Sequence, residues 1–378
     1  MMTLLWFQRD LRIRQNPSLE WAISQKQPIV AIYIHSPEED SPWSEGAASR
    51  WWLHHSLEKL SIDLLKINIR LHYFKANSID TFKQLLKENN FSSIIWTNRI
   101  EPKRKACETE IEQVAISYGA EVKRFSSELL AKPDEFLTTS KKTPYRVFTP
   151  FYKKFRNQLH IEYSSKPNET HKSMSEAVIH KIFDNESSLN GLKLLDTHSW
   201  HKKLHQYWTP GEDSAIHQLE YFIAHDLANY SNNRDYPSID GTSRLSPHLH
   251  FGEISPHQVL QQILPLIENV EGKTTTEAES YLRQLIWREF ARYILWHFPQ
   301  STETSMNLNF NNSFWSNNLN HLKKWQEGKT GIDIVDAGMR QLWETGNMHN
   351  RVRMLAASLL TKNMDICWQQ GAKWFWDT

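Results

Sequence analysis

Over residues 1–125 short apolar runs alternate with amphipathic stretches. The runs LLWF (4–7), PIVAIYI (28–34), IRLHYF (69–74), SSIIWT (92–97) and EVKRF (121–125) are rich in β-branched and aromatic residues and predict strands. Between them, 17–25, 47–66 with Trp51, Leu53, Leu57 and Leu60, 79–88 and 103–118 carry helical spacing. Strand and helix in alternation with short connections predict an α/β amino-terminal domain over 1–130, a doubly wound parallel sheet that takes ligands at the carboxyl ends of its strands. After the first strand, however, stands FQRDLRIRQNP in place of GxGxxG, which argues against a simple dinucleotide domain, and there is no P-loop.

From 131 to 200 the periodicity weakens into polar clusters such as LTTSKKTP (137–144), YSSKPNETHKS (163–173) and NESSLNG (185–191), the mark of an inter-domain connection. Within it YRVFTPFYKKF (145–155) mixes aromatics with Arg146, Lys153 and Lys154 and reads as a surface-packed turn. Beyond 200 only helical spacing remains, over 212–229, 256–269, 276–297, 318–326, 332–345 and 348–370, which predicts an all-α domain over 201–378.

Charge narrows the classes of function. The 44 Lys and Arg balance 43 Asp and Glu, so a nucleic-acid partner would need a local basic patch. Cys107 and Cys367 form no CxxC pair, which excludes a disulfide framework or thiolate metal cage and fits a reducing cytoplasm. The amino terminus has only the four-residue run LLWF, and no run of 18 apolar residues follows, so a cytoplasmic, membrane-free protein is expected. With 16 Trp against 17 Phe, aromatic stacking or electron hopping stands beside ordinary core filling.

Three segments carry candidate chemistry. GTSRLSPHLHFGEISP (241–256) sets Thr242, Ser243 and Ser246 around Arg244 ahead of a helix, which suits a pyrophosphate or an ordinary capped turn. His248 and His250 lack a ligand partner at metal spacing, and no metal is expected. YLRQLIWREFARYILWHFP (281–299) puts Gln284, Trp287, Arg288 and Ala291 on one helix face, where a flat heteroaromatic ligand or a structural Arg–Glu pair would satisfy the polar groups. GMRQLWETGNMHNRVRMLAASLL (338–360) reads as two helices joined at Gly346; the second opens on His349, Asn350, Arg351 and Arg353, cations opposed to the helix dipole and so placed for an anionic partner.

RDYPSIDGTSRLSPHLHFGEISP, LRQLIWREFARYIL, WQEGKTGIDIVDAGMRQLWETGNMHNRVRM and GAKWFWDT, in that order behind WFQRDLR, resemble the DNA photolyase/cryptochrome family, most closely bacterial class I cyclobutane-pyrimidine-dimer photolyases, from residue 3 to 378. The resemblance implies an α/β antenna domain, and a helical domain that holds FAD and admits a pyrimidine dimer flipped out of DNA. Tyr230, Thr242, Ser243, Arg244, Leu245 and Ser246 match flavin phosphate-binding positions, and Arg288 and Arg353 match neighbours of the cofactor. Trp287 matches the indole that stacks on the dimer; Arg234, Asn350, Arg351 and Met354 match positions facing lesion or DNA, and Trp315 and Trp368 two members of an electron-relaying tryptophan chain. The implied reaction is light-driven: reduced flavin lends one electron to the dimer, which splits and returns it. A local rim of Arg234, Arg351, Lys153 and Lys154 would meet the phosphates of the DNA, bound by a monomer.

Three departures qualify the likeness. Gln284 stands where cyclobutane-dimer photolyases typically carry Glu; (6-4) photolyases have Gln there but need a His pair, where this chain has His349 followed by Asn350, so cyclobutane dimers are the expected substrate and (6-4) products the alternative. Lys103 and Arg104 stand at folate-binding positions of some relatives, leaving folate or deazaflavin open as second antenna chromophore. The sequence stops at Thr378, before the family's acidic stretch, Asn pair and third relay Trp, so the FAD domain is expected to be incomplete at its carboxyl end and Arg353 to lack its carboxylate partner. The rival from another class is a cryptochrome-like blue-light photoreceptor; an inactive remnant without flavin is the third reading.

Overall fold

The computed structural model describes residues 2–126, 128–138, 142–159, 186–195, 199–268, 272–307, 315–316 and 318–378. Strands β1 (Met2–Phe7), β2 (Ile29–Ile34), β3 (Leu71–Phe74), β4 (Phe91–Thr97) and β5 (Glu121–Phe125) form one parallel sheet in the order β3-β2-β1-β4-β5. Helices α1 (Pro17–Ser24), α2 (Ala47–Lys66), α3 (Ser78–Glu88) and α4 (Pro102–Ser117) cover it. Because successive side chains point to opposite faces, Leu5, Phe7, Ala31 and Tyr33 pack with Leu57 and Leu60 of α2, while Leu4, Trp6, Val30 and Ile94 pack with Phe82 of α3 and Ile111 of α4. Burial on both faces explains why the strands read as unbroken apolar runs.

The loop after β1 shows why no glycine fingerprint stands there. Glu212, at the start of α6 (Glu212–Tyr221), accepts from the backbone N–H groups of Ile13 and Arg14 at 2.9 Å each. A carboxylate of the helical half thus holds the sheet-edge position at which a phosphate would sit. Asp10 fixes the loop, accepting from the Gln8 N–H at 3.0 Å and the Thr97 hydroxyl at 2.7 Å. Arg12, buried, donates to the carbonyl oxygen of Gly252 at 3.0 Å.

Beyond the sheet, the described residues form α5 (Phe148–Gln158), α6, α7 (Tyr230–Asn233), α8 (Ser246–Phe251), α9 (Pro256–Glu268), α10 (Lys273–His297), α11 (Leu319–Gln326), α12 (Asp333–Thr345), α13 (Asn350–Ser358) and α14 (Trp368–Asp377). One core joins α5, α6, α9 and α10; a second joins α11 to α14 around Trp325. No described helix is long and apolar enough to cross a membrane.

Two expectations need correction. The segment 145–155 is no surface turn: Phe148, Phe151 and Phe155, at i, i+3 and i+7, bury one face of α5 against α10. The single helix expected over 348–370 is interrupted between Asn363 and Trp368, where Asp365 takes a left-handed conformation (φ 53°) and Ile366 turns into the core. Within the expected connection, 163–173 lies outside the described residues.

The two halves meet at close quarters. Trp52 of α2 donates its indole N–H to Glu253 at 3.1 Å, and His248 shares the other oxygen of that carboxylate at 2.5 Å. Gly252 caps α8 at φ 70°, and a Cβ there would lie 1.9 Å from the carbonyl oxygen of Arg9. Gly252→Ala is therefore expected to cost about 2 kcal/mol or more of stability; thermal unfolding checks it, and an unchanged Tm would contradict the close approach.

Candidate functional site

The Gly241–Ser246 turn ends in α8, and it leaves donors free. Among the described residues nothing accepts from the backbone N–H groups of Thr242, Ser243, Arg244 and Leu245. Arg244 is held left-handed (φ 53°), its guanidinium 4.6 Å from the Trp208 ring and only 3.4 Å from Asp240 and the Tyr207 carbonyl. Leu245 and Tyr230 are buried; Tyr230 packs edge-on to Tyr281 at 5.3 Å, and Tyr281 is hydrogen-bonded to Ser243. Ser246 is exposed at the first position of α8. Turn, hydroxyls and free N–H groups form a donor set suited to a pyrophosphate.

On α13 the donors divide between two surroundings. His349 caps the helix, its Nδ1 accepting from the Arg351 N–H at 3.2 Å, and its Nε2 is buried without a partner among the described residues. Arg353, four residues on, has no carboxylate partner among the described residues; its guanidinium lies 4.6 Å from the Phe375 ring and burial lowers its pKa. A half-buried cation without a carboxylate and a buried ring nitrogen without a partner among the described residues, on one helix, fit an electron-rich or anionic group. The donor sets of α13 and of the 241–246 turn together fit FAD, a phosphate-bearing heteroaromatic.

Arg351 instead reaches out, donating to Asp235 Oδ1 from Nε at 2.9 Å and from a terminal nitrogen at 2.6 Å. Arg234 lies 3.6 Å from the same carboxylate oxygen. One Asp thus gathers both cations expected to face DNA. Asn350 Nδ2 lies 3.8 Å from the sulfur of Met354, whose side chain is 56% exposed.

On α10 the face expected from spacing is divided. Trp287 is 44% exposed and stacks on Phe148, while Gln284 donates to the Ser280 carbonyl at 3.3 Å. Arg288 turns to the junction between the halves: it donates to the Glu128 carbonyl at 2.8 Å, to Glu289 at 3.2 Å and to the Leu249 carbonyl at 3.4 Å. Burial brings its pKa down to about 10 and lifts that of Glu289 to about 7, so for this pair desolvation outweighs attraction. Arg288 is thereby a structural Arg–Glu partner, one of the two readings the sequence left open.

The remaining candidates scatter. Ser316 N–H donates to the Asp365 carbonyl at 2.6 Å, bringing the strand-less segment of Trp315 to the turn before Trp368, which opens α14. Arg104 is taken up by Asp40 at 2.7 Å and Glu39 at 2.9 Å, and Lys103 by the Ser41 carbonyl, so both tie the loop after β2. Lys154 donates to the Leu137 carbonyl at 2.7 Å, and Lys153 is exposed. A cleft at the carboxyl ends of the strands is lined by Gln8, Arg9, Tyr33, His35, Glu45 and Arg99.

Sequence reasoning missed Asp235, and it missed Phe148, for which the i, i+3, i+7 spacing of aromatics was the available signal. It also missed Trp343, which stacks on Trp374 at 5.7 Å and leans on Trp200 at 5.3 Å.

A family model described as DNA photolyase matches residues 3–171, and one described as the FAD binding domain of DNA photolyase matches 281–378. The chain is 36% identical to a deoxyribodipyrimidine photo-lyase of Agrobacterium fabrum over 376 residues, 99% of this chain and 76% of that protein. Against Cryptochrome-2 of Arabidopsis thaliana it is 32% identical over 383 residues, covering all of this chain and 62% of that one. The crystal structure of a bacterial class III photolyase from Agrobacterium tumefaciens superposes with a TM-score of 0.88 at 36% identity, covering 100% of this chain and 76% of that one. That structure is of a class III protein, whereas the motifs pointed to class I; the family is common to both. On this likeness, across both halves and in sequence as well as shape, the chain belongs to the DNA photolyase/cryptochrome family.

Proposed function

We propose that this chain repairs cyclobutane pyrimidine dimers in DNA in a light-driven reaction that uses reduced FAD. The observation that carries the proposal is Trp287, a large apolar ring left 44% exposed on a helix whose Leu285, Ile286 and Phe290 are buried. An extrahelical pyrimidine pair joined by a cyclobutane ring offers uncharged, largely apolar ring faces, and an open indole is the surface that binds them.

Each of the other site residues has a role in this reading. The Gln284 amide can both donate to and accept from the paired base edges, as can Asn350. Arg234 and Arg351 together carry two positive charges against the single carboxylate of Asp235, so the pair keeps a net positive charge for DNA phosphates. The N–H groups of Thr242 to Leu245, with Ser246 and Arg244, hold the cofactor's pyrophosphate, Tyr230 packs beneath, and Arg353 supplies a cation toward its ring system. Bound FAD, reduced and excited by blue light, supplies the electron that opens the cyclobutane ring. Trp315 and Trp368 are assigned to the relay that brings electrons in, and a second chromophore, folate or deazaflavin, to the cleft beyond β1 and β2.

Illumination of the purified chain with a thymine-dimer oligonucleotide is expected to restore thymines in light and not in darkness. Bound flavin without repair would favour the photoreceptor reading, to which the 32% identity with a plant cryptochrome lends weight, and repair of (6-4) products alone would reassign Gln284. Trp287→Ala should weaken binding to dimer-containing DNA by about 1–3 kcal/mol while flavin content stays the same; equal affinity in titrations would remove the stacking role. Arg353→Met should lower retained flavin yet raise the Tm of the flavin-free chain by the equivalent of about 1 kcal/mol, since a half-buried cation without a carboxylate is removed. A lower Tm in the flavin-free variant would show that Arg353 serves packing alone.

A further inference from the structure

Helices α5 and α10 meet along two matching ridges. Phe148, Tyr152 and Arg156 recur every four residues on α5, as Glu279, Arg283 and Trp287 do on α10. The ridges pair in opposite directions. Phe148 lies on Trp287 with ring centroids 3.5 Å apart and planes 9° from parallel. The Arg283 guanidinium sits 5.2 Å from the Phe148 centroid and 4.7 Å from that of Tyr152. Tyr152 donates its hydroxyl to Glu279 at 2.7 Å, and Arg156 Nε donates to the two oxygens of the same carboxylate at 3.0 and 3.2 Å.

This arrangement acts on a single degree of freedom, the orientation of the indole. An exposed Trp on a helix has several rotamers open to it. Here one face is covered by Phe148, itself 5% exposed, and Phe290 stands edge-on to both rings, 5.9 Å from Trp287 and 5.7 Å from Phe148. Two aromatic faces set squarely upon one another repel through their quadrupoles. The guanidinium near Phe148 draws on that ring's electron density and offsets the repulsion. What remains of Trp287 is an outward surface of fixed plane, so a base pair that stacks on it meets a surface already ordered.

We propose that Phe148 is a positioning residue for lesion recognition: by holding the Trp287 indole in one plane it sets the affinity for an extrahelical pyrimidine pair, a role that rests on the stacking function of Trp287. It touches neither lesion nor cofactor and acts through the indole. The helix α5 is thereby part of the lesion site.

A double-mutant cycle on the full chain tests this, with Phe148→Leu, Trp287→Ala and the pair, titrated against a thymine-dimer oligonucleotide and its undamaged counterpart. Phe148→Leu is expected to weaken dimer binding by roughly 3–10-fold, in line with the usual worth of an aromatic pair. Affinity for undamaged DNA is expected to stay the same, and Phe148→Tyr to restore the parent value. In the Trp287→Ala background Phe148→Leu should cost nothing further. Equal losses in both backgrounds, or equal losses on both DNAs, would overturn the proposal and leave Phe148 a packing residue. Loss in Trp287→Ala without loss in Phe148→Leu would sink the positioning role alone, whereas no loss in Trp287→Ala would sink the stacking assignment beneath it. If Phe148→Leu does not fold, Phe148→Met, which fills the space without a ring, is read in the same cycle.

Discussion

Everything in this molecule depends on how the carboxyl edge of the sheet is closed by the helical half. The edge is lined with backbone N–H groups and arginines, a region of positive potential at strand ends and helix starts. Left open, it would be an anion site. The helical half answers with Glu212 on the N–H groups of Ile13 and Arg14, and with a backbone carbonyl on Arg12. Glu253 meanwhile holds Trp52 and His248 together. The helical half is therefore docked on the loop after β1 by the chemistry that a nucleotide phosphate would otherwise satisfy there.

The buried cations sort by the same logic. Arg288, Arg99 and Arg9 lie within reach of Glu289 or Glu101, which makes the junction an ionic belt with little charge to spare. Arg12 is met by the backbone carbonyls of Gly252 and Gln15, whereas Arg353, half-buried, has an aromatic ring for company and no carboxylate among the described residues. Such an imbalance is costly in a structure with nothing bound, and that cost is what a ligand relieves. Between the extremes stands Asp235, whose single carboxylate tethers Arg234 and Arg351 without cancelling both.

The sheet and its helices were legible in the sequence because buried parallel strands and amphipathic helices have distinct periods, and β1 to β5 fall within two residues of their expected bounds. The helix 148–158 was not, since its three phenylalanines were read together with the lysines between them. The break at Asp365 was invisible for another reason: a left-handed non-glycine residue is chosen by the burial of Ile366, a tertiary fact. At the site, motif likeness located the residue types, but hydrogen bonds to backbone carbonyls decided where two of the cations turn. Arg288 and Lys154 were drawn to partners far away in the sequence, Glu128 and Leu137, that no local pattern announces.

The start of α2 has one further consequence. Gly46 has no room for a side chain because the backbone of Trp376 and Asp377 passes 2.3 Å from where its Cβ would be. The Asp377 carboxylate accepts the Ala47 N–H at 2.9 Å, and the Trp376 indole donates to the Ser44 carbonyl at 2.7 Å. The helix thus receives its cap from a residue 330 positions later in the chain. During synthesis the first turn of α2 emerges with its donors facing water, and it is completed only when α14 arrives, so a helix of the sheet half waits for the helical half to be finished.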